Sequence, residues 1–444
     1  MNSEQPTSAP APAPGRQQRA VDVLVIGAGP AGLALASRLA ATGPAAGPVG
    51  VEVVDREAEP GGVLRHCVHS GFGLRDLRRP MTGPAYARHW ADAAVHAGAT
   101  LRTGVTVTGW SEDMTSTDSL TVDVTSPAGL ERITARAVVL ATGARERPRS
   151  ARLVPGTRPA GVFTTGELQQ TVHHHHRPVG RRAVVVGAES VSYSAVRTLR
   201  EAGVEVVAMV TELPYHQVSP ATALDARLRR GVPLLVGARV SELLGRGRLS
   251  GVALRRADGR STTVACDTVV FTGDWIPDHE LVRRGGVALD GGTRGPAVDG
   301  SFRTDRAGVF AVGNLLHGVE PAHTAAREGL LAAGPVLRHL TDGARPAAAR
   351  VPVQVEVEAP LRWIAPNRID PADPRVATGG FILRTESKLA PWSSLVVSRD
   401  GRVLHRQRLV RGAVPNRTVR LSAAWTEQVR AGAGDGPVRI SVER

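Results

Sequence analysis

Cysteine is almost absent from this 444-residue sequence, where only Cys67 and Cys266 occur. Two thiols are too few for a disulfide scaffold, a structural zinc site or a cysteine-ligated iron–sulfur cluster. Without a disulfide framework, the expected compartment is a reducing cytoplasm. Aromatic residues make up only 3%, so a platform for stacking bases has few candidates. Lys388 is the one lysine among 55 basic residues, and the formal net charge of +14 rests on arginines spread along the chain. That pattern, with no basic block, argues against nucleic-acid binding. No run of about 18 uninterrupted apolar residues occurs, so no membrane span is expected. Residues 1–20 are rich in Pro, Ala, Ser and Gln and read as a disordered tail instead of a secretory signal.

Glycine, by contrast, is placed with purpose. The apolar run Val21 to Ile26 passes straight into Gly27, Gly29, Pro30, Ala31 and Gly32, and then into the helical stretch Leu33 to Ala40. Strand, glycine turn and helix in this order make a dinucleotide cradle: Gly27 for the bend, Gly29 for approach of a pyrophosphate, Gly32 for helix–strand packing. Asp55 ends the next strand, Val51 to Val54, and is the candidate ribose acceptor, with Arg56 beside it. It follows Gly27 by 28 residues, where about 20 is usual; the loop from Thr42 to Gly50 absorbs the excess at little cost in closure entropy. Two later strands end in small-residue turns that suit a flavin nucleotide, one at Ala141, Thr142 and Gly143 and the other at Gly313 and Asn314. Gly61 and Gly62, just beyond Asp55, complete the set.

Together these segments resemble the FAD-binding motifs of the two-dinucleotide-domain flavoproteins, the pyridine nucleotide-disulfide oxidoreductase superfamily, from about residue 21 to 340. Gly61 to Gly73, Leu140 to Pro148 and Gly313 to Glu320 are most similar to the flavin subunits that accompany amine, opine and anaerobic glycerol-3-phosphate dehydrogenases. The resemblance implies an α/β fold of two nested Rossmann-like three-layer ββα domains, with non-covalent FAD, a small-molecule substrate and a partner dehydrogenase subunit. It places the FAD domain at 21–150 and 270–345 and an NAD(P)-binding-like domain at 151–269. Short alternating strands over 350–444 read as a small all-β C-terminal appendage. In the superfamily the late motif usually ends in Asp, which holds the flavin ribityl chain; here Asn314 takes that place without charge.

The second glycine turn departs from the pattern. It reads Gly187-Ala188-Glu189-Ser190-Val191-Ser192, so Glu189 stands where the second glycine belongs. Two unit charges ~4 Å apart at an effective dielectric near 20 repel by about 4 kcal/mol, enough to weaken a pyrophosphate greatly. If a nicotinamide nucleotide binds, Gly187 forms the turn and Glu212 is the ribose acceptor, which places NAD ahead of NADP. The run His173 to His176 invites a metal reading, but four consecutive histidines in a loop cannot all face one ion and no Cys or acidic partner lies close in sequence; no metal site is expected.

Disulfide reductases of the superfamily carry two cysteines after the glycine pair. Without gaps, Leu64 and His69 take those places here, so a redox disulfide is not expected. His69 is the candidate proton handler and Cys67 the alternative redox group; His317 and Glu320 are second-line candidates beside the late flavin turn. The expected function is an FAD-dependent oxidoreductase passing electrons between NAD(P)H or a partner dehydrogenase and an acceptor. The alternative is a non-catalytic flavin-binding scaffold within a multi-subunit dehydrogenase.

Overall fold

The computed structural model describes residues 17–42, 47–111, 120–218, 222, 224, 231–342, 352–431 and 436–443. Val23, Leu24 and Val25 are wholly buried, as befits a central strand covered on both faces. Their strand, Gln17–Ile26, lies between Val51–Asp55 and Gly129–Leu140, with Thr100–Thr103 and Val309–Ala311 outside these, all parallel. The first half of Gly129–Leu140 also pairs antiparallel with Leu120–Ser126, which pairs with Thr106–Trp110. Residues 17–20, which composition places in the tail, instead extend the central strand against residues 131–134. Composition misses them because backbone pairing holds them, reinforced by an Arg19–Glu52 ion pair at 2.5 Å.

The first helix, Pro30–Ala41, crosses the closing helix Ala322–Asp342 at backbone contact: a Cβ on Gly329 would lie 2.0 Å from the Ala31 carbonyl oxygen. This contact ties the end of the chain's α/β part to its beginning.

The second parallel sheet runs Val162–Thr164, Thr268–Phe271, Arg182–Val186, Glu205–Val210 and Leu234–Leu235. Helices Thr165–His173 and Ser190–Glu201 pack together beside it, and Ala238–Leu244, Gly251–Arg256 and Ser261–Ala265 form an antiparallel annex. The Pro- and Arg-rich linker between the two units is partly structured: Ala144–Glu146 pairs antiparallel with Trp275–Pro277, so both crossings between the units run side by side.

Beyond residue 352 a five-stranded sheet, containing Val353–Val357, Ser394–Arg399 and Val438–Glu443, faces a three-stranded sheet of Leu361–Ala365, Gly380–Thr385 and Val419–Ser422. Trp425 and Phe381 stack in its core, ring centroids 5.1 Å apart. This sandwich is anchored to both Rossmann units. Arg384 pairs with buried Glu320 at 2.5 Å, lies over the Trp363 ring, and donates to the Val319 carbonyl; Thr418 also donates to Glu320. On the second unit, Asn416 bonds Gln217 and Lys388 lies over Tyr215. Arg384→Ala leaves Glu320 charged and buried, and should cost about 3–5 kcal/mol in urea unfolding; adding Glu320→Ala should recover part of that loss.

Candidate functional site

The first glycine turn has a closed base and an open mouth. A Cβ on Gly27 would lie 2.4 Å from the Ala141 carbonyl oxygen and one on Gly32 2.0 Å from that of Gly27, whereas one on Gly29 or Gly143 meets nothing within 4 Å. Gly29 is the N-cap of Pro30–Ala41 and has no side chain to cap it, so the first-turn N–H groups remain available to an anion. Pro30 at the first helical positions sacrifices no bond, and Ala31 is buried below the turn. The residues therefore fit a dinucleotide pyrophosphate.

Asp55 stands at this turn, and its first task is internal: it accepts from the Ala28 N–H at 2.6 Å and the Glu57 N–H at 2.9 Å. It fixes the glycine turn to the end of the second strand and reaches a ribose only through its remaining lone pairs. Gly62 crosses over Gly29, where a Cβ on it would come within 3.4 Å of the Gly29 Cα. Arg56 is two-thirds exposed and pairs with Asp278 at 3.6 Å. The Thr142 hydroxyl donates to the Asp278 carbonyl at 2.8 Å, tying the Ala141–Gly143 turn to the second crossing.

At the late turn the structure departs from three expectations. The Asn314 side chain is engaged with the backbone of Glu320, donating to its carbonyl at 3.2 Å and accepting its N–H at 2.9 Å, so it latches its own loop instead of reaching outward. Glu320 is spent on Arg384 and Thr418. His317 is buried against Glu328, with Nε2 2.9 Å from the carboxylate. Burial disfavours the charge on His317, but the adjoining Glu328 outweighs it and holds its pKa above the ordinary value. His317 and Glu320 thus support the turn from behind. Sequence reasoning missed Glu328, whose other oxygen accepts the Gly313 N–H at 3.0 Å; its only signal is a glutamate on the apolar face of the closing helix.

The segment after Gly61 is a 3-10 turn, Gly62–His66, leading to Cys67 and His69. The Cys67 sulfur lies 3.4 Å from the Val63 carbonyl and 3.5 Å from the Gln169 side-chain oxygen, both within reach of its S–H, and the Gln169 amide donates to the Ser194 hydroxyl at 3.0 Å. This chain links the segment to both helices of the second unit. Burial pushes the Cys67 thiol up to about 12, with Glu146 adding to the effect; it is a protonated thiol at neutral pH, the opposite of an activated nucleophile. His69 stacks on Phe72 with centroids 4.9 Å apart, and its Nδ1–H donates to the Ser70 carbonyl at 3.2 Å. Burial lowers its pKa, which leaves Nε2 as a neutral, basic nitrogen. His66 is also buried, its pKa lowered to about 4 by burial and by His174.

The second glycine turn is filled by its own side chain. Glu189 is 6% exposed, accepts from the Ala188 N–H at 3.0 Å, and lies so that a Cβ on Gly187 or Gly273 would meet its carboxylate within 3 Å. Ser192 and Thr272 share a buried hydrogen bond at 2.7 Å beneath it. Glu212 follows the strand Glu205–Val210 and is exposed. Of the histidine run, His173 ends the helix Thr165–His173 and the His174 ring meets His66 edge-on at 5.9 Å; the run is a helix end and not simply a loop. No cluster of metal-ligating side chains occurs among the described residues, and no helix among them is long and apolar enough to cross a membrane.

The model of the pyridine nucleotide-disulphide oxidoreductase family matches residues 21–329. This chain belongs to that family. It is 28% identical over 337 residues to an opine oxidase subunit from Agrobacterium tumefaciens (strain Ach5), a match covering 70% of this chain and 64% of that protein. It is likewise 28% identical over 365 residues to the alpha subunit of sarcosine oxidase from Rhizobium meliloti (strain 1021), covering 78% of this chain and 33% of that protein. The chain therefore spans less than two thirds of the length of either relative. Among solved structures, T. acidophilum thioredoxin reductase superposes with a TM-score of 0.60 at 23% identity, covering 72% of this chain and 98% of that one. L-proline dehydrogenase from P. horikoshii gives a TM-score of 0.54 at 18% identity, covering 75% and 58%. These likenesses are of fold. The family match ends before the C-terminal sandwich.

Proposed function

We propose that this chain is the flavin-bearing part of a cytoplasmic oxidoreductase, holding one non-covalent FAD and passing electrons to an acceptor from a partner dehydrogenase subunit. The reading rests on the contrast between the two glycine turns: the first is open over Gly29 and Gly143, the second is filled by Glu189. Gly27, Gly29, Gly32, Asp55, Gly62, Ala141, Thr142, Gly143 and Gly313 would hold the FAD, which supplies the electron-transfer chemistry. The names of the relatives, subunits of opine and sarcosine oxidases, support an amine substrate class and a partner subunit. In this reading the chain is not a disulfide reductase, supported by Cys67 standing alone in its segment and Cys266 lying in the core of the second unit. Purified protein should be yellow and release its FAD on acid precipitation, and Gly29→Glu should abolish flavin absorbance by blocking and repelling the pyrophosphate. A colourless protein that FAD cannot reconstitute ends this reading. The scaffold alternative predicts that neither NADH, NADPH nor a candidate amine or hydroxy acid bleaches the flavin under anaerobic conditions.

Glu189 makes NAD(P)H a poor reductant in this reading, because its carboxylate takes the pyrophosphate's place at the second turn. Glu189→Gly should tighten NADH binding, by up to about a thousandfold if the roughly 4 kcal/mol of charge repulsion is fully relieved. Stopped-flow flavin reduction measures this, and rapid reduction of the unmutated chain by micromolar NADH would count against the plug.

His69 is the proton handler of this reading, with Nε2 as its base. His69→Ala should slow reduction by the native reductant roughly 10²–10⁴-fold with FAD content unchanged. Cys67→Ser, the control, should leave the rate near that of the unmutated protein, since a thiol held protonated carries no redox burden. A charge-transfer absorbance lost in Cys67→Ser would reverse the two roles.

A further inference from the structure

Between the redox segment and the second glycine turn lie two buried carboxyl groups, Glu146 and Glu189, near enough to oppose each other's charge. Glu146 ends the strand that leaves the Ala141–Gly143 turn. Its Oε2 accepts from the Gly166 N–H at 2.8 Å, in the first turn of the helix Thr165–His173. Its Oε1 is buried, and the Thr165 hydroxyl near the carboxylate favours its charged form; Oε1 of Glu189 is buried without a hydrogen-bond partner. The charged and titratable groups around the pair do not relieve this. Arg152 favours both charges electrostatically, but its Nη2 is committed to the Thr272 and Gly273 carbonyls at 3.0 and 2.6 Å. Cys67 faces Glu146 as a thiol, and Tyr193 faces Glu189 with its hydroxyl in contact with His216. Two ionised carboxylates here would bury an uncompensated acceptor on Glu189 and one excess negative charge. A single proton removes the excess charge and turns one acceptor into a donor.

We propose that Glu146 is held as a carboxylic acid and serves as a proton store between the flavin cradle and the second unit, with Glu189 as the anionic member of the pair. Burial, with Glu189 adding to it, pushes the Glu146 carboxyl up to about 7 despite the Gly166 and Thr165 hydrogen bonds and the Arg152 charge. The use of the proton rests on the function proposed above: a bound flavin would take two electrons from the reductant and one proton from the Glu146 O–H, and when the flavin passed its electrons to the acceptor the proton it released would return to the Glu146 carboxylate.

Glu146→Gln is the decisive variant, since the amide oxygen still accepts from Gly166 but cannot ionise. Infrared spectra of the unmutated protein titrated with pH should show a buried acid C=O band lost near pH 7, and the variant should lack it. Stability follows in sign. The folded chain binds this proton more tightly than the unfolded one, so the unmutated protein should lose stability relative to Glu146→Gln as pH rises from 4.5 to about 7. If Glu146→Gln fails to fold, Glu189→Gln answers the question, because removing the opposing charge should move the band's midpoint to lower pH. An unmutated protein with no titrating acid band, or with the same pH–stability profile as Glu146→Gln, overturns the proposal. Neither readout needs turnover, so a protein that accepts no electrons but keeps the band defeats the electron-transfer reading and leaves the proton store standing.

Discussion

Backbone contact between the first glycine turn and the neighbouring strand end is the constraint on which the rest depends. Gly27 passes so close to Ala141, and Gly32 so close to Gly27, that no side chain fits at either position. The two turns lie edge to edge at the carboxyl ends of parallel strands, where α/β sheets open a crevice for ligands. Asp55, Gly62 and Gly313 are arranged about that edge through hydrogen bonds and close approaches to its backbone. The closing helix belongs to the same arrangement, since Glu328 accepts from Gly313 while Gly329 touches Ala31. One helix face thereby positions the late turn and seals the first.

The second unit repeats the architecture with opposite chemistry. Where the first turn leaves helix N–H groups for a guest anion, the second supplies an anion of its own in Glu189. The Glu189 carboxylate accepts from the Ala188 N–H just ahead of the helix Ser190–Glu201 and keeps its other oxygen buried without a partner, so the second turn is occupied by a side chain of its own. The unit is nevertheless tightly integrated. Gln169 and Ser194 reach from its helices to Cys67, and the C-terminal sandwich grips it at Tyr215 and Gln217 while gripping the first unit at Glu320. Contacts on both sides fix this unit against the segment that carries Cys67 and against the sandwich.

Strands and turns whose signals are local were legible in the amino-acid order. Val21 to Gly32, the turns at Gly143 and Gly313, and the alternating strands beyond residue 350 could be read because apolar runs and glycines record backbone needs at the residues that have them. The same was true of Glu189, whose misfit is visible within a six-residue turn. The roles of polar side chains were settled by the folded arrangement instead, because a carboxylate's function depends on what meets it across the fold. Glu320 and His317, placed by sequence beside the flavin turn, serve as buried supports because Arg384 and Glu328 reach them from 64 and 11 residues away. Glu146 gave no sequence signal and Glu328 only that of a glutamate on an apolar helix face, since burial and distant partners set their chemistry. Cys67 is a held thiol for the same reason: burial keeps it protonated, and Glu146, distant along the chain, adds to the effect, an arrangement that no local pattern encodes.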